Sequence, residues 1–255
     1  MNPVSGFWSV TTLETVGSTN DEATALAEAG AREGTVIRAL RQEAGRGRRG
    51  RGWTSPPGNV YSSAILRPRT RPDLAAQLSF VAALAVADVA VAVLPPGAPV
   101  TLKGPNDVLV DGAKISGILL ESILGADGNV AHVIVGTGIN VASAPPAAAT
   151  GYGATCLAEQ GVTVSAEEVF VAYLDALERW YGVWTRGGFA PVGAAWTARA
   201  AWIGREITVR LGEDALTGRN EGVDNAGALL LRLPDGSVRR ITAGEVFPPR
   251  EGNTR

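Results

Sequence analysis

Apolar residues recur along this 255-residue chain in two rhythms, and the rhythm changes near residue 203. Before that point short apolar runs alternate with helical periods. Residues 8–16 alternate loosely and predict a first strand. A helix is predicted over 19–29, where Thr19 and Glu22 fit a capping box and Gly30 fits the stop. Further strands are predicted at 34–40, 60–66, 100–103, 108–110, 115–124 and 130–135, with Asp111-Gly112 as a hairpin signal. Leu74, Leu78, Val81, Ala85, Val89 and Val93 fall at helical spacing. That apolar stretch, 74–94, is interrupted by Gln77 and Asp88, so it reads as a buried helix rather than a membrane span. Ser165 and Glu168 form another capping box, opening a helix whose Phe170, Leu174, Leu177, Tyr181 and Trp184 make one apolar face.

Beyond residue 203 the period drops to two. Ile207, Val209 and Leu211 alternate with polar residues, as do Leu229, Leu231 and Leu233. Residues 238–246 follow a Pro234-Asp235-Gly236 turn. Several short strands in so few residues predict a small β-barrel. The expected fold is therefore α+β: a mixed β-sheet with flanking helices over 1–202, and a small C-terminal β-barrel domain over 203–255. Residues 144–150 (Ala-Pro-Pro-Ala-Ala-Ala-Thr) read as a flexible loop.

Composition narrows the class. Hydrophobic content of 45% and charged content of 19% describe a globular chain. A net charge of −2 gives no global field for nucleic acid. Cys156 is the only cysteine, so no intramolecular disulfide forms and a reducing, cytoplasmic setting is expected. The opening Met1-Asn2-Pro3-Val4-Ser5-Gly6 lacks the basic-then-apolar pattern of a signal peptide.

Against that background one segment is unusual. Gln42 to Trp53 packs Arg46, Arg48, Arg49 and Arg51 between glycines. Like charges repel, so crowding them calls for an anion. Glycine lets the backbone approach a ligand, and arginine offers a fork of donors matched to phosphate and carboxylate oxygens. An exposed basic loop or an RGG-type RNA contact is the competing reading, but only Trp53 supplies an adjoining aromatic. Three other clusters stand out. Ser18-Thr19-Asn20 also reads as a helix cap. Lys103-Gly104-Pro105-Asn106-Asp107, with Lys114 and Gly117, also reads as a turn and hairpin. Gly136-Thr137-Gly138-Ile139-Asn140 ends an apolar strand but matches neither Walker A nor the dinucleotide fingerprint. One His and one Cys cannot make a zinc site, and His132 sits on an alternating strand as a structural residue. What remains is positive charge, an acid and glycine, a set suited to phosphate chemistry without a covalent protein intermediate.

Taken in order, these clusters resemble the biotin protein ligase family, also called biotin–[acetyl-CoA-carboxylase] ligase. Gly45-Arg46-Gly47-Arg48-Arg49-Gly50-Arg51-Gly52-Trp53 is similar to the family's signature loop, and Pro105-Asn106-Asp107 with Lys114 and Gly117 to its second motif. Lipoate ligases share the fold and lack this loop. The resemblance implies a class II aminoacyl-tRNA-synthetase-like fold with an SH3-like C-terminal barrel. It also implies formation of biotinyl-5′-AMP from biotin and Mg-ATP, then transfer to a lysine of a biotin carboxyl carrier protein domain. By resemblance, Ser18, Thr19 and Gln42 would meet the ureido ring, with Gly45, Arg46, Lys114 and Gly117 completing the biotin site. Arg48, Arg51, Trp53, Asn106, Lys114, Gly138 and Asn140 would face the nucleotide, with Asn140 on the magnesium side. Lys114 and Arg48 would act on the α-phosphate, and Asp107 would position or deprotonate the acceptor lysine. Some members carry an N-terminal DNA-binding domain. Here the pattern begins by residue 18, so the short class without DNA binding is expected, without a membrane partner and with a homodimer left open. One departure is visible: the family usually has Trp where this chain has Gly104. Either a void lies beside biotin, or Trp8, Trp53 or residues around Ile118 fill it.

Overall fold

The computed structural model describes residues 6–146 and 153–248. The loop expected at 144–150 lies outside these residues from 147 onward, as do the last seven positions of the C-terminal unit. A seven-stranded sheet forms the centre, built from β1 (Ser9–Val16), β2 (Thr35–Gln42), β3 (Val60–Leu66), β4 (Val100–Lys103), β5 (Asp107–Val110), β6 (Ala113–Leu124) and β7 (Val130–Ile139). Their order across the sheet is β1-β2-β3-β7-β6-β5-β4. Only β1 and β2 run parallel; the other neighbours are antiparallel. The sheet is thus mixed, as the sequence predicts.

Both faces are covered, which explains why β3 is buried along its whole length rather than on alternate residues. On one face α1 (Thr19–Glu28) lays Ala23 and Ala27 on Ile37, Ile65 and Ile134. The other face carries the larger core. There the apolar stretch forms α2 (Pro72–Ala75) and α3 (Leu78–Val93), which pack with α4 (Ala166–Gly187) and α5 (Phe189–Thr197) on Val60, Ala64, Leu66, Val133 and Val135. By length and composition Pro72–Val93 could cross a membrane, but 72% of its most apolar 18-residue window is buried inside the protein. The near-absence of polar residues on α3 follows from that burial on all sides. Trp180 Nε1 and Arg199 satisfy Asp88, the one charge inside it, at 2.8 and 2.6 Å.

The capping box at Ser165 is present in full: its hydroxyl accepts from the Glu168 N–H, and the Glu168 carboxylate accepts from the Ser165 N–H. The one expected at Thr19 is absent. Ser18 holds the N-cap position, and no side chain caps that helix. The Thr19 hydroxyl is engaged elsewhere, donating to Gln42 Oε1 at 3.1 Å. A tertiary partner has outcompeted the local one.

The C-terminal unit is a five-stranded antiparallel sheet of β8 (Glu206–Leu211), β9 (Asp214–Val223), β10 (Leu229–Arg232), β11 (Val238–Ile241) and β12 (Glu245–Phe247), in the order β11-β10-β9-β8-β12. Ile207, Val209, Leu231 and Ile241 form its core. Among the described residues no ladder joins its outer strands β11 and β12. The linking segment is stitched to both sheets. Leu102 N–H donates to the Arg199 carbonyl and Ala201 N–H to that of Leu102, both at 2.8 Å, while Asn220 Nδ2 donates to the Ala201 carbonyl at 3.0 Å.

Ser165→Ala removes one half of the α4 capping box and is expected to lower stability by about 1 kcal/mol. A denaturant midpoint shift with unchanged slope checks this; no shift would mean the box contributes nothing.

Candidate functional site

The register of the central sheet dictates where the site lies. Directly opposed residues on neighbouring strands point to the same face. Lys103 faces Asp107, Asp107 faces Gly117, Gly117 faces Gly138, and Gly138 faces Tyr61, a row across five strands. This row lies on the face that carries α1. Its next row brings Leu119, Gly136 and Ser63 together. Glycine at three of these positions leaves a trough in which other groups sit directly on the backbone. A Cβ on Gly138 would come within 2.6 Å of the Trp53 indole nitrogen, and one on Gly117 within 3.1 Å of Lys114 Nζ. Glycine here makes room for Trp53 and Lys114.

Two joined cavities open along the trough. The inner one, about 60 Å³, is lined by Ser18, Thr19, Gln42, Gly117 and Gly138 among others. Its walls form a directional hydrogen-bond chain. Gln42 Oε1 accepts from the Thr19 N–H at 2.8 Å and from its hydroxyl, so its amide nitrogen faces outward and donates to Ser55 Oγ at 3.0 Å. Ser55 Oγ then donates to the Trp53 carbonyl at 2.9 Å. Behind Thr19, the wholly buried Ser63 hydroxyl lies 2.8 Å from Thr19 Oγ1 and 2.6 Å from Asn20 Oδ1. Ser18, Thr19 and Asn20 are all buried. Ser18 takes the N-cap position without a side-chain cap bond, so capping explains none of these three buried side chains.

The outer cavity, about 360 Å³, is cationic. Arg48, Arg51, Lys103 and Lys114 line it with Asn106, Asp107 and Asn140, and Arg210, Glu245 and Phe247 close it from the C-terminal sheet. Arg48, Trp53, Asn106 and Lys114 belong to both cavities and form the junction. Arg48 donates to Asn106 Oδ1 at 2.8 Å, and burial lowers the pKa of its guanidinium. Asp107 sits between two ammonium groups, with Lys103 Nζ 3.1 Å from Oδ2 and Lys114 Nζ 2.6 Å from Oδ1. Lys114 also lies 5.3 Å from the centre of the Trp53 ring. Asn140 is buried and donates to the Thr155 carbonyl at 3.0 Å. Gly45 closes the base of the Arg–Gly loop, its carbonyl accepting from the Trp53 N–H at 2.8 Å. Among the described residues no group of three His, Cys, Asp or Glu could hold a metal ion.

The crowded arginines have carboxylate partners that sequence reasoning missed. Asp21 grips Arg46 with both oxygens, at 2.7 and 2.5 Å, and Glu121 stands 3.5 Å away. The Arg46 guanidinium in turn holds the Asp21 carboxyl below its usual range. Glu245, on β12, lies 2.7 Å from Arg51 and 3.5 Å from Arg49. These acids come from α1, β6 and the C-terminal sheet, and no local spacing signals them.

Gly104 borders the outer cavity but not the inner one. A Cβ there would touch Trp196 of α5 at 3.4 Å. Trp196, therefore, is the aromatic beside Gly104. Trp8 is tied into the core through the Leu174 carbonyl, while Trp53 lies over Gly117 and Gly138.

Comparisons with known proteins identify the family. Residues 13–140 match the Biotin/lipoate A/B protein ligase family and residues 202–247 the Biotin protein ligase C terminal domain. The chain is 45% identical to the biotin–[acetyl-CoA-carboxylase] ligase of Paracoccus denitrificans over 92% of this chain and 98% of that one. It is 35% identical to the Mycobacterium tuberculosis enzyme of the same name, over 95% of this chain and 90% of the relative. Among solved structures, biotin protein ligase from Aquifex aeolicus in complex with biotin and ATP superposes with a TM-score of 0.80 at 30% identity, covering 94% of this chain and 97% of the other. The chain belongs to the biotin protein ligase family.

Proposed function

We propose that the two cavities seat biotin and ATP end to end, so that the biotin carboxylate meets the α-phosphate at the junction. The enzyme activates biotin with ATP to biotinyl-5′-AMP and passes biotin to a lysine of a biotin carboxyl carrier protein. The observation that carries the seating is the junction itself. Arg48, Trp53, Asn106 and Lys114 are shared by an outer cationic cavity and an inner one whose far wall, Ser18, Thr19 and Gln42, is uncharged and hydrogen-bonding. An acyl adenylate has that polarity: an uncharged ring at one end and phosphate at the middle.

In this reading Thr19 and Gln42 recognise the ureido edge, with Gln42 held in one orientation by the Thr19 N–H and Ser55. Buried partners of this kind discriminate strongly against analogues that lack the matching polar edge. Arg46 exchanges the Asp21 carboxylate for that of biotin. Arg48, Arg51 and Lys114 neutralise the phosphates, where charge grows as the carboxylate attacks. Asn106 holds Arg48 in place. Magnesium arrives on the ATP phosphates, and the Asn140 amide, whose nitrogen is committed to Thr155, offers an oxygen on that side. We place the domain division at 202/203 and the reaction in the cytoplasm, with no DNA involved.

The test of the reading is pyrophosphate exchange into ATP. It should require biotin and should not proceed with lipoate; exchange without biotin, or with lipoate alone, would refute it. Lys114→Ala should slow adenylate formation by about 10²–10³-fold, the usual cost of one transition-state donor. Its fold should persist, because Lys103 still neutralises Asp107. Wild-type rates would remove Lys114 from the chemistry. Glu245→Ala should release Arg49 and Arg51 from the C-terminal sheet. Two exposed arginine pairs are worth together about 1 kcal/mol, so trypsin should cut the Arg–Gly loop roughly fivefold faster. Gly104→Trp should change the biotin Kd by less than about twofold, because position 104 lies outside the inner cavity, and should act on ATP instead. Titration with each ligand separately distinguishes the two; a tenfold gain for biotin would restore the idea of a void beside it.

A further inference from the structure

Lys103 opens the second motif, yet the roles above leave it unused. It is 5% exposed, deep behind Asp107 on β4. Burying an ammonium group is costly unless it is paired, and an apolar residue would pack at this depth without that cost. Its retention points to a task at Asp107.

The two oxygens of Asp107 are held differently. Oδ2 faces Lys103, which directly opposes Asp107 across the β4–β5 ladder and is buried. Oδ1 faces Lys114, which is more exposed, borders both cavities and sits next to the Trp53 ring. The Lys114 ammonium has three N–H donors on a flexible stem, and the phosphates of a nucleotide carry more charge than one carboxylate, so they compete with Asp107 for it. Once the adenylate is in place, Lys114 is drawn to the phosphate and Oδ1 is exposed to the junction.

We propose that Lys103 is a positioning residue for the transfer step: it retains Asp107 when Lys114 leaves, so that Oδ1 receives the ammonium of the acceptor lysine at the spot Lys114 vacates. This rests on the function proposed above. The Lys114 ammonium is, in effect, a stand-in for the incoming one. The acceptor gives one proton to Asp107 and becomes a neutral amine. Its nitrogen bonds to the acyl carbon, and the bond from that carbon to the phosphate oxygen breaks with its electron pair staying on AMP. The nitrogen's second proton passes to water, leaving the amide. Burial lowers the pKa of the Lys103 ammonium while Asp107 opposes the shift, so the pair is mutually dependent.

The experiment separates the half-reactions in the full-length protein. Lys103→Gln and Lys103→Arg are compared with wild type in biotin-dependent pyrophosphate exchange and in single-turnover transfer from preformed biotinyl-AMP to a carrier domain. Lys103→Gln should slow transfer at saturating carrier about 10–100-fold, with KM little changed, and should slow exchange at least tenfold less than that. Lys103→Arg, which keeps the charge, should recover most of the transfer rate. In an Asp107→Asn background, Lys103→Gln should cost little more, since the two act through one carboxylate. Equal losses in both half-reactions would assign Lys103 to the nucleotide and overturn the proposal. So would additive losses in the double variant, or full transfer by Lys103→Gln. If Lys103→Gln does not fold, failure of Lys103→Arg to transfer is the overturning result. Wild-type protein without biotin-dependent exchange would instead refute the functional reading.

Discussion

Six cations, Arg46, Arg48, Arg49, Arg51, Lys103 and Lys114, are gathered around one trough, and the protein must hold them there before any anion arrives. That constraint shapes the surrounding architecture. Arg46 is held by Asp21 from α1 with Glu121 of β6 nearby, Arg49 and Arg51 meet Glu245 of β12, and both lysines meet Asp107 of β5. Each counter-charge comes from a different element, so the loop is pinned to the whole fold rather than to its own neighbours. The exposed pairs are weak individually. Weakness suits the proposed function, in which each pair yields to a ligand oxygen of the same charge and geometry. The buried pair at Lys103 is the one built to stay.

Glycine solves the complementary problem of space. The strands of a sheet normally fill the face above them with side chains. Here Gly117, Gly136 and Gly138 leave the backbone bare on two adjacent strands, and Asn20, Trp53 and Lys114 lie against it. The inner wall is rigid for a second reason: its polar groups are linked in series from Asn20 through Ser63, Thr19, Gln42 and Ser55 to the Trp53 carbonyl. Any displacement of one end is felt at the other, where the Arg–Gly loop closes.

Much of this was legible in the sequence because it is local. Helical spacing placed the buried α3, the pair Ser165 and Glu168 marked the start of α4, and Asp111-Gly112 marked the turn between β5 and β6. The Arg–Gly loop stood out by composition, while Pro105-Asn106-Asp107, which also reads as a turn, took its meaning from the family resemblance. What was hidden depends on distant parts of the chain. β9 escaped because its buried positions are Gly218, Asn220 and Gly222, which give no apolar alternation. Gly218 has to be small, since a Cβ would come within 2.5 Å of the Arg232 carbonyl. The cap at Thr19 misled because its hydroxyl serves Gln42, 23 residues away. Glu245 and Trp196 could not be matched to the site, since only the folded chain brings β12 and α5 beside it.

The segment at 199–201 does more than connect two sheets. By pairing in parallel with Leu102, it adds a short rung to the edge of β4, and Asn220 fastens its far side to β9. A connector secured on both flanks is a weld, not a hinge. Any swing of the second sheet at this joint has to break these bonds. The Arg–Gly loop meets that sheet through the ion pairs of Arg49 and Arg51 with Glu245, so the sheet is a fixed post to which the loop is tied by exchangeable bonds.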